Sequence, residues 1–307
     1  MESIIQTASL AKHYKDVVAV SELDLDIKKG EIYGFLGLNG AGKTTTIRML
    51  LGLISPSSGS VYLKGQRMHP GYAEGLRLTG SLVEMPHAYP NLSVRENLEI
   101  VRRLRFIKDR KAVDAILKLL ELQKYANRKV KNLSLGNAQR LGLAKALIHQ
   151  PEILILDEPV NGLDPEGIHD IREMLKTLAA DQGVTIFISS HILGEISLMA
   201  NRIGIIHEGR LISEFKTSEL NRLCEKYMKV QTADNALAVK ILKNNGIQKC
   251  KVADESIKIE DESALKSPSD IAVILVNAGL PPSLLKVEEE NLESYFLRTI
   301  NAKGGQK

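Results

Sequence analysis

The segment Gly37-Leu-Asn-Gly-Ala-Gly-Lys-Thr44 fits the pattern Gly-x-x-x-x-Gly-Lys-[Ser/Thr] of a phosphate-binding loop. Apolar residues at 32–36 precede it, and the segment from Thr45 to Leu51 has helical character, which predicts a helix that runs to about Ile54. A strand, a glycine-rich loop and a helix in this order form the context that the motif requires. The sequence therefore predicts a nucleotide site within an α/β domain.

Each part of this loop has a role in binding phosphate. Glycines let the backbone curl, so that successive N–H groups point at phosphate oxygens, and the following helix adds its positive N-terminal end. Lys43 is expected to reach the β- and γ-phosphates, and the Thr44 hydroxyl is expected to bind Mg²⁺. The predicted nucleotide contacts of the segment are Gly37, Asn39, Gly40, Gly42, Lys43, Thr44 and Thr45.

The composition is that of an ordinary globular protein. A length of 307 residues suggests about two domains, and 44% hydrophobic with 25% charged residues fits a packed core. Aromatic residues make up 4% of the chain and Trp is absent, which disfavours a nucleic-acid partner bound by base stacking. The two cysteines, Cys224 and Cys250, lack metal-ligand spacing, so a reducing compartment fits best.

Membrane signals are absent from the sequence itself. The N-terminus shows no basic region followed by an apolar core, and no run of about 18 or more apolar residues occurs. The net charge of +4 is small for this length and identifies no partner. We therefore expect no direct membrane span, and any membrane role must come through a partner.

Two acids follow a second buried strand. Residues 153–156 are all apolar, which is typical of a central strand in a parallel sheet, and Asp157 and Glu158 come directly after them. Asp157 can hold Mg²⁺ directly or through water, and Glu158 is placed to accept a proton from an attacking water. Taken alone, such a pair is more often a helix cap or loop acid. The upstream phosphate loop favours the catalytic interpretation and hydrolysis over phosphorylation.

A histidine ends the next predicted strand. Residues 183–188 are mostly apolar, and His191 follows Ser189 and Ser190. A lone histidine at a strand end is usually structural. Because ligands bind at the carboxyl ends of strands in open α/β sheets, His191 should lie near Lys43 and the two acids. We expect it to touch the γ-phosphate.

Two further segments depart from the alternation of strands and helices. A helical block at about 86–147 follows a predicted strand at 78–85. The block contains a capping box, Ser93 with Glu96, and a helix predicted over 111–122. From about residue 222 the composition shifts, and the order strand, helix, strand, strand, helix, strand matches a ferredoxin-like unit. We therefore expect one domain at 1–221, with the helical block inside it, and a small accessory α+β domain at 222–307. The second domain shows no catalytic cluster and is expected to serve in regulation or docking.

Over about residues 1–220 the chain resembles the ATP-binding subunits of ABC transporters. The resemblance is specific because six motifs occur in the order that the family shows. They are an adenine-stacking aromatic at Tyr14, the Walker A loop at 37–44, the signature motif at 133–139, Walker B with its catalytic glutamate at 153–158, the D-loop at 161–164, and the switch histidine His191.

The resemblance implies a fold and a mode of assembly. The fold is an α/β phosphate-loop ATPase core: a mixed sheet flanked by helices, an antiparallel β subdomain and an inserted helical subdomain. Two copies would meet head to tail, with ATP and Mg²⁺ held between one copy's loop and Ser134 and Gly136 of the other, near Asp164. The expected partners are an integral-membrane permease and a second ATP-binding subunit, with a homodimer expected and a heterodimer left open. Such a subunit is peripheral, on the cytoplasmic face of the cell membrane.

Two positions depart from the family pattern. In the signature, usually Leu-Ser-Gly-Gly-Gln, Leu135 and Asn137 replace Gly and Gln. In the Q-loop, Glu84 stands where the family usually has Gln, and its carboxylate can still contact Mg²⁺ or its water. Together with residues 188–195 and the length, both departures resemble the branch that exports bacitracin or gives immunity to lantibiotics.

Rival functions are weaker. An ABC ATPase that acts on ribosomes usually has two cassettes in tandem, and one Walker A is present here. A related DNA-repair ATPase needs a long coiled-coil insertion, for which residues 85–132 are too short. An ATP-sensing scaffold is expected to lack the catalytic carboxylate, whereas Glu158 is intact. Within transport, export of another drug, lipid or ion remains the open alternative.

Overall fold

The computed structural model describes residues 2–83, 88–253 and 255–304. The chain divides into two compact units, one of residues up to 218 together with the segment from 299, and one of residues 219–298. Each unit has its own buried apolar core. The two units are described separately below.

The first unit contains two sheets. Its strands are β1 (Ser3–Tyr14), β2 (Val17–Lys28), β3 (Ile32–Leu36), β4 (Ser58–Leu63), β5 (Gln66–Arg67), β6 (Thr79–Leu82), β7 (Ile153–Asp157), β8 (Thr185–Ser190), β9 (Arg202–His207) and β10 (Arg210–Lys216). An antiparallel sheet has the order β2-β1-β4-β5, and a mixed sheet has the order β10-β9-β3-β8-β7-β6. Among the described strands of the mixed sheet, only β10 runs antiparallel to its neighbour.

Helices flank the mixed sheet. They are α1 (Lys43–Leu50), α2 (Ala73–Leu78), α3 (Val94–Leu104), α4 (Lys111–Leu119), α5 (Leu135–Leu147), α6 (Pro165–Gln182) and α7 (Leu193–Ser197). Helices α3 to α5 form the predicted helical block, and the capping box of Ser93 with Glu96 is present at the start of α3. Every residue of β3, β7 and β8 is buried, which is why these strands read as continuous apolar runs in the sequence.

Strand register positions the site. β8 lies between β3 and β7, and all three run parallel, so their carboxyl ends share one edge of the sheet. Leu36 pairs with Ser190, and Asp157 pairs with Ser189. The phosphate loop therefore starts beside the end of β8, and the two acids start on the other side of it.

Several predicted boundaries are wrong by a few residues. Helix α1 ends at Leu50 rather than near Ile54, because Gly52 adopts a φ of 64° and Leu53 N–H donates to the Arg48 carbonyl at 2.8 Å. This left-handed glycine cap reverses the chain after the helix. Strand β6 is shorter than the predicted 78–85, and the short helix α2 was not predicted.

The second unit is an α+β sandwich. Its strands are β11 (Lys226–Gln231), β12 (Cys250–Ala253), β13 (Ser256–Ile259) and β14 (Leu284–Glu289), and its helices are α8 (Leu220–Leu223), α9 (Asn235–Asn244), α10 (Glu262–Lys266), α11 (Pro268–Asn277) and the start of α12 (Leu292–Gly304). The antiparallel sheet has the order β12-β13-β11-β14, and apolar side chains of α9 and α11 share one core with it. The predicted ferredoxin-like arrangement is confirmed. Within the described ranges, no helix combines the length and apolar character needed to cross a bilayer.

Candidate active site

The phosphate loop follows β3 directly. Gly37 N–H donates to the Ser190 carbonyl at 3.2 Å, which ties the loop to the end of β8. Gly40 and Gly42 have φ values of 82° and 109°, a region that L-residues with a side chain rarely occupy. A Cβ atom at Gly42 would also lie 2.5 Å from the Ala19 carbonyl oxygen. Glycine at 42 is therefore required by both the backbone conformation and the space available.

Lys43 begins helix α1, and its side chain turns back into the loop. The residue is only 6% exposed, and Nζ donates to the carbonyl oxygens of Gly37 at 2.7 Å and Leu38 at 3.2 Å. The loop thus encloses a cation at the point where the helix N-terminus also carries positive potential. Both features favour an anion such as phosphate.

Asp157 is a buried carboxylate held by two hydroxyl groups. Thr44 Oγ1 donates to Asp157 Oδ2 at 2.7 Å, and Ser189 Oγ donates to Asp157 Oδ1 at 2.6 Å. Asp157 is 4% exposed. A carboxylate and a hydroxyl in contact are hard oxygen ligands of the type that Mg²⁺ prefers, so the residues present fit that ion.

Glu158 stands in the strained turn after β7. Its φ is 47°, which costs a side-chain-bearing residue on the order of 1–3 kcal/mol, and its N–H donates to Ser189 Oγ at 3.1 Å. One carboxylate oxygen lies 3.3 Å from Lys43 Nζ, and the other lies 3.0 Å from His191 Nδ1. The turn therefore places the Glu158 carboxylate between Lys43 and His191. The sequence predicted that these three residues lie close together.

Ser189 was missed by the sequence argument. It is fully buried, and its single hydroxyl contacts both acids. The signal was a hydroxyl residue at the end of an otherwise apolar strand, and the register places it directly opposite Asp157. The apolar pattern predicts the strand, but it does not predict that the Ser189 hydroxyl bonds to the neighbouring acids.

The signature segment forms a second group of residues. Ser134 caps the N-terminus of α5, and Asp164 caps that of α6 by accepting from Gly167 N–H at 3.0 Å. A Cβ atom on Gly136 would lie 3.1 Å from Leu163 Cδ2, so a side chain here would require the leucine to shift by a few tenths of an ångström. A cleft of about 550 Å³ lies over both helix starts. Its lining includes Tyr125, Ser134, Gly136, Asn137, Arg140 and Asp164.

Asn137 has a contact that the sequence did not predict. Its side-chain amide donates to Ser134 Oγ at 2.9 Å, and its backbone N–H donates to the same atom at 3.3 Å. Because the Ser134 oxygen accepts both bonds, its own O–H is left to donate to an anion. The departure from Gln at this position therefore shapes the hydrogen-bonding role of Ser134.

The two groups of site residues do not meet within one chain. Among the described residues, no hydrogen bond or ion pair joins Ser134 or Gly136 to Lys43 or Thr44. Tyr14 is 45% exposed at the end of β1, with Lys12 Nζ 5.0 Å from its ring centroid. Asn39 and Gly40 are exposed at the loop tip, and Thr45 continues α1. Glu84 lies outside the described residues, so its contact with Mg²⁺ stays a prediction.

Known proteins share both the sequence and the fold. A profile of the ABC transporter family matches residues 20–161. The bacitracin transport ATP-binding protein BcrA of Bacillus licheniformis is 43% identical over 98% of each chain, and that of Enterococcus faecalis is 41% identical over 99% of this chain and 98% of its own. The lantibiotic transport ATP-binding protein SrtF of Streptococcus pyogenes is 39% identical over 69% of this chain and 90% of its own.

A solved structure shows the same core. A dimeric ATP-binding cassette bound to ADP and Pi, in a post-hydrolysis state, matches with a TM-score of 0.65 and 26% identity, over 70% of this chain and 99% of that one. The predicted fold class and the predicted ATPase class are both confirmed. The chain belongs to the ABC transporter family, as an ATP-binding subunit with ATPase activity.

Proposed function

We propose that this ABC ATPase powers export of a peptide antibiotic of the bacitracin or lantibiotic type. The proposal is carried by the likeness to bacitracin transport ATP-binding proteins, which extends over nearly the whole length of both chains. A likeness to a lantibiotic transport protein supports the same substrate class. The protein would act at the cytoplasmic face of the cell membrane, bound to an integral-membrane permease that moves the substrate.

The proposed chemistry is hydrolysis of ATP by water. Glu158 is the base: its carboxylate takes a proton from the attacking water, and its strained turn holds it in place. Lys43 binds the β- and γ-phosphates. His191 orients the Glu158 carboxylate and contacts the γ-phosphate. Thr44 and Asp157 would hold Mg²⁺. The Glu84 carboxylate would contact the ion or a water bound to it. When bound, that ion neutralises charge on the phosphate oxygens.

The proposed site is completed by a second copy of the chain. The loop residues of one copy would face Ser134, Gly136 and Asp164 of the other, and the half-site geometry within one chain supports this. Tyr14 would stack on the adenine. Residues 1–221 would form the ATP-binding domain in this dimer, and residues 222–307 an accessory domain.

The test of the chemistry is Glu158→Gln. The variant should bind ATP within a few-fold of the wild type but hydrolyse it about 10²- to 10⁴-fold more slowly, because the amide cannot accept the proton. With ATP it should also accumulate as a dimer in size-exclusion chromatography. Glu152→Gln is the matched control: Glu152 directly precedes β7, at the end away from the site, and pairs with Lys64. A normal rate of ATP hydrolysis in the Glu158→Gln variant would contradict the assignment of Glu158 as the general base.

The test of the substrate class is separate. A strain that lacks this chain should become more sensitive to bacitracin or a lantibiotic, and the wild-type gene but not the Glu158→Gln gene should restore resistance. Unchanged sensitivity to both, with ATPase activity intact, would contradict peptide-antibiotic export and favour another drug, lipid or ion.

A further inference from the structure

A row of four lysines crosses the sheet of the second unit. The lysine row consists of Lys251 on β12, Lys258 on β13, Lys229 on β11 and Lys286 on β14. Adjacent members are direct cross-strand partners in the register of the sheet. All four therefore point to the same face, since partners across an antiparallel pair share a face.

This face is opposite the helices. Met228 and Val230 of β11 are fully buried in the core shared with α9 and α11, whereas Lys229 between them points the other way. The same alternation holds on β13, where Ile257 and Ile259 are fully buried and Lys258 keeps 27% side-chain exposure. The lysine row thus belongs to the side of the sheet that faces away from α9 and α11.

The charges of the row are only partly compensated. Lys258 pairs with Glu260 at 2.6 Å, and Lys286 pairs with Glu288 at 3.3 Å. Within the described ranges, neither Lys229 nor Lys251 has an ion-pair partner. Like charges directly opposite one another destabilise a sheet. Two carboxylates, Glu260 and Glu288, thus accompany four lysines, so the row keeps a net positive charge that an anionic partner would complement.

We propose that the lysine row is a docking surface for an acidic segment of a partner protein. Four strands spaced about 4.8 Å apart give the row a length of about 14 Å. An extended segment places alternate side chains on one face at about 6.6 Å intervals, so three alternate acids span about 13 Å. If such a segment lies across the strands, its carboxylates face the lysines along the whole length of the row. This docking does not depend on the substrate of the exporter.

Two other anionic partners fit the surface less well. Single-stranded nucleic acid is bound by aromatic side chains on which bases stack, and Tyr227, the aromatic residue beside the row, is half-buried with Lys258 Nζ 4.7 Å from its ring centroid. A membrane surface is flat and attracts cations that extend from the protein, whereas Lys258 and Lys229 are recessed between neighbours.

The test uses the full-length protein and a labelled peptide. The probe carries four glutamates alternating with serines, its companion carries glutamines instead, and binding is read by fluorescence anisotropy at low and at raised salt. The wild type should bind the acidic probe and not its companion. Lys229→Gln with Lys251→Gln should weaken binding about fivefold or more. Lys240→Gln with Lys243→Gln on α9 removes the same charge and should change binding less than twofold.

Each other outcome overturns the proposal. Absence of binding by the wild type, or equal weakening in both double variants, would show that the row is no docking surface. Tighter binding to anionic vesicles or to a single-stranded oligonucleotide, lost in the Lys229 and Lys251 variant, would assign the row to a different partner class. A thermal melt guards against misfolding, because relief of like-charge contacts should leave the melting temperature unchanged or raised.

Discussion

At the scale of single residues, one hydroxyl organises both acids of the site. Ser189 Oγ donates to Asp157 and accepts from the N–H of Glu158. The carboxylate of Asp157 is buried, and the backbone of Glu158 is strained. Ser189 therefore positions the two acids that we propose for hydrolysis.

Ser189→Ala tests this positioning role. The change leaves one acceptor oxygen and one N–H without a partner, which should cost about 1–3 kcal/mol of folding free energy and lower kcat about tenfold or more. Thr185→Val is the control, because Thr185 Oγ1 accepts from Gly30 N–H at the opposite end of the same strand. Denaturant unfolding and steady-state kinetics should show similar stability losses but a kcat effect only at 189. Equal kcat values in the two variants would contradict the role.

The strand-end rule explains which site residues the sequence could predict. Lys43, Glu158 and His191 follow apolar runs that become parallel strands, so their convergence follows from topology. Their roles remain predictions. The contacts of Ser189 and Asn137 depend on side-chain direction and on register, which apolar periodicity does not encode.

At the scale of elements, strands buried on both faces were predicted better than helix ends. The runs that form β3, β7 and β8 are uninterrupted and apolar. Helix α4, predicted to reach Leu122, ends at Leu119, since Glu121 adopts a φ of 55° and Leu122 N–H donates to the Leu117 carbonyl at 2.8 Å. A glutamate in the left-handed conformation does not reveal a helix end in the sequence, whereas a glycine such as Gly52 after α1 can.

The segment after α5 contacts the start of β6 through a partly buried histidine. His149 Nε2 lies 3.2 Å from the Thr79 carbonyl oxygen, and within the described ranges its buried Nδ1 has no hydrogen-bond partner. Burial, with the nearby Arg105 cation, lowers the pKa of His149 to about 4, against the opposing effect of the Thr79 carbonyl. His149 is therefore neutral in the folded protein at neutral pH.

This arrangement predicts a pH dependence of stability. Between about pH 6.5 and 4 the unfolded chain binds a proton at His149 that the folded chain does not, so this contribution to the free energy of unfolding falls as the pH falls through that window. Because the ring is partly exposed, the loss should stay below about 2 kcal/mol. His149→Gln should flatten this part of the acid limb in urea unfolding measured at several pH values. An unchanged acid limb would show that His149 does not titrate in this way.

At the scale of the whole molecule, the sequence indicates a second domain but does not indicate the charge pattern on its sheet. Length and a change in element order pointed to a core and a small α+β domain. The net charge of +4 gave no hint of the lysine row, because its members lie at 229, 251, 258 and 286 and meet only through the strand order. Long-range pairing is invisible to local pattern.

Separate cores imply that damage to one unit should leave the nucleotide site intact. Leu275 is fully buried in the core of the second unit, so Leu275→Ala should cost about 2–5 kcal/mol there. In hydrogen exchange followed by mass spectrometry, residues 226–289 should exchange faster, while the protection that ATP gives to residues 32–51 and 153–160 should persist. Leu50→Ala, in the core of the first unit, should reverse this pattern. Loss of ATP-dependent protection in Leu275→Ala would mean that the phosphate loop depends on the second core, contrary to the two separate apolar clusters.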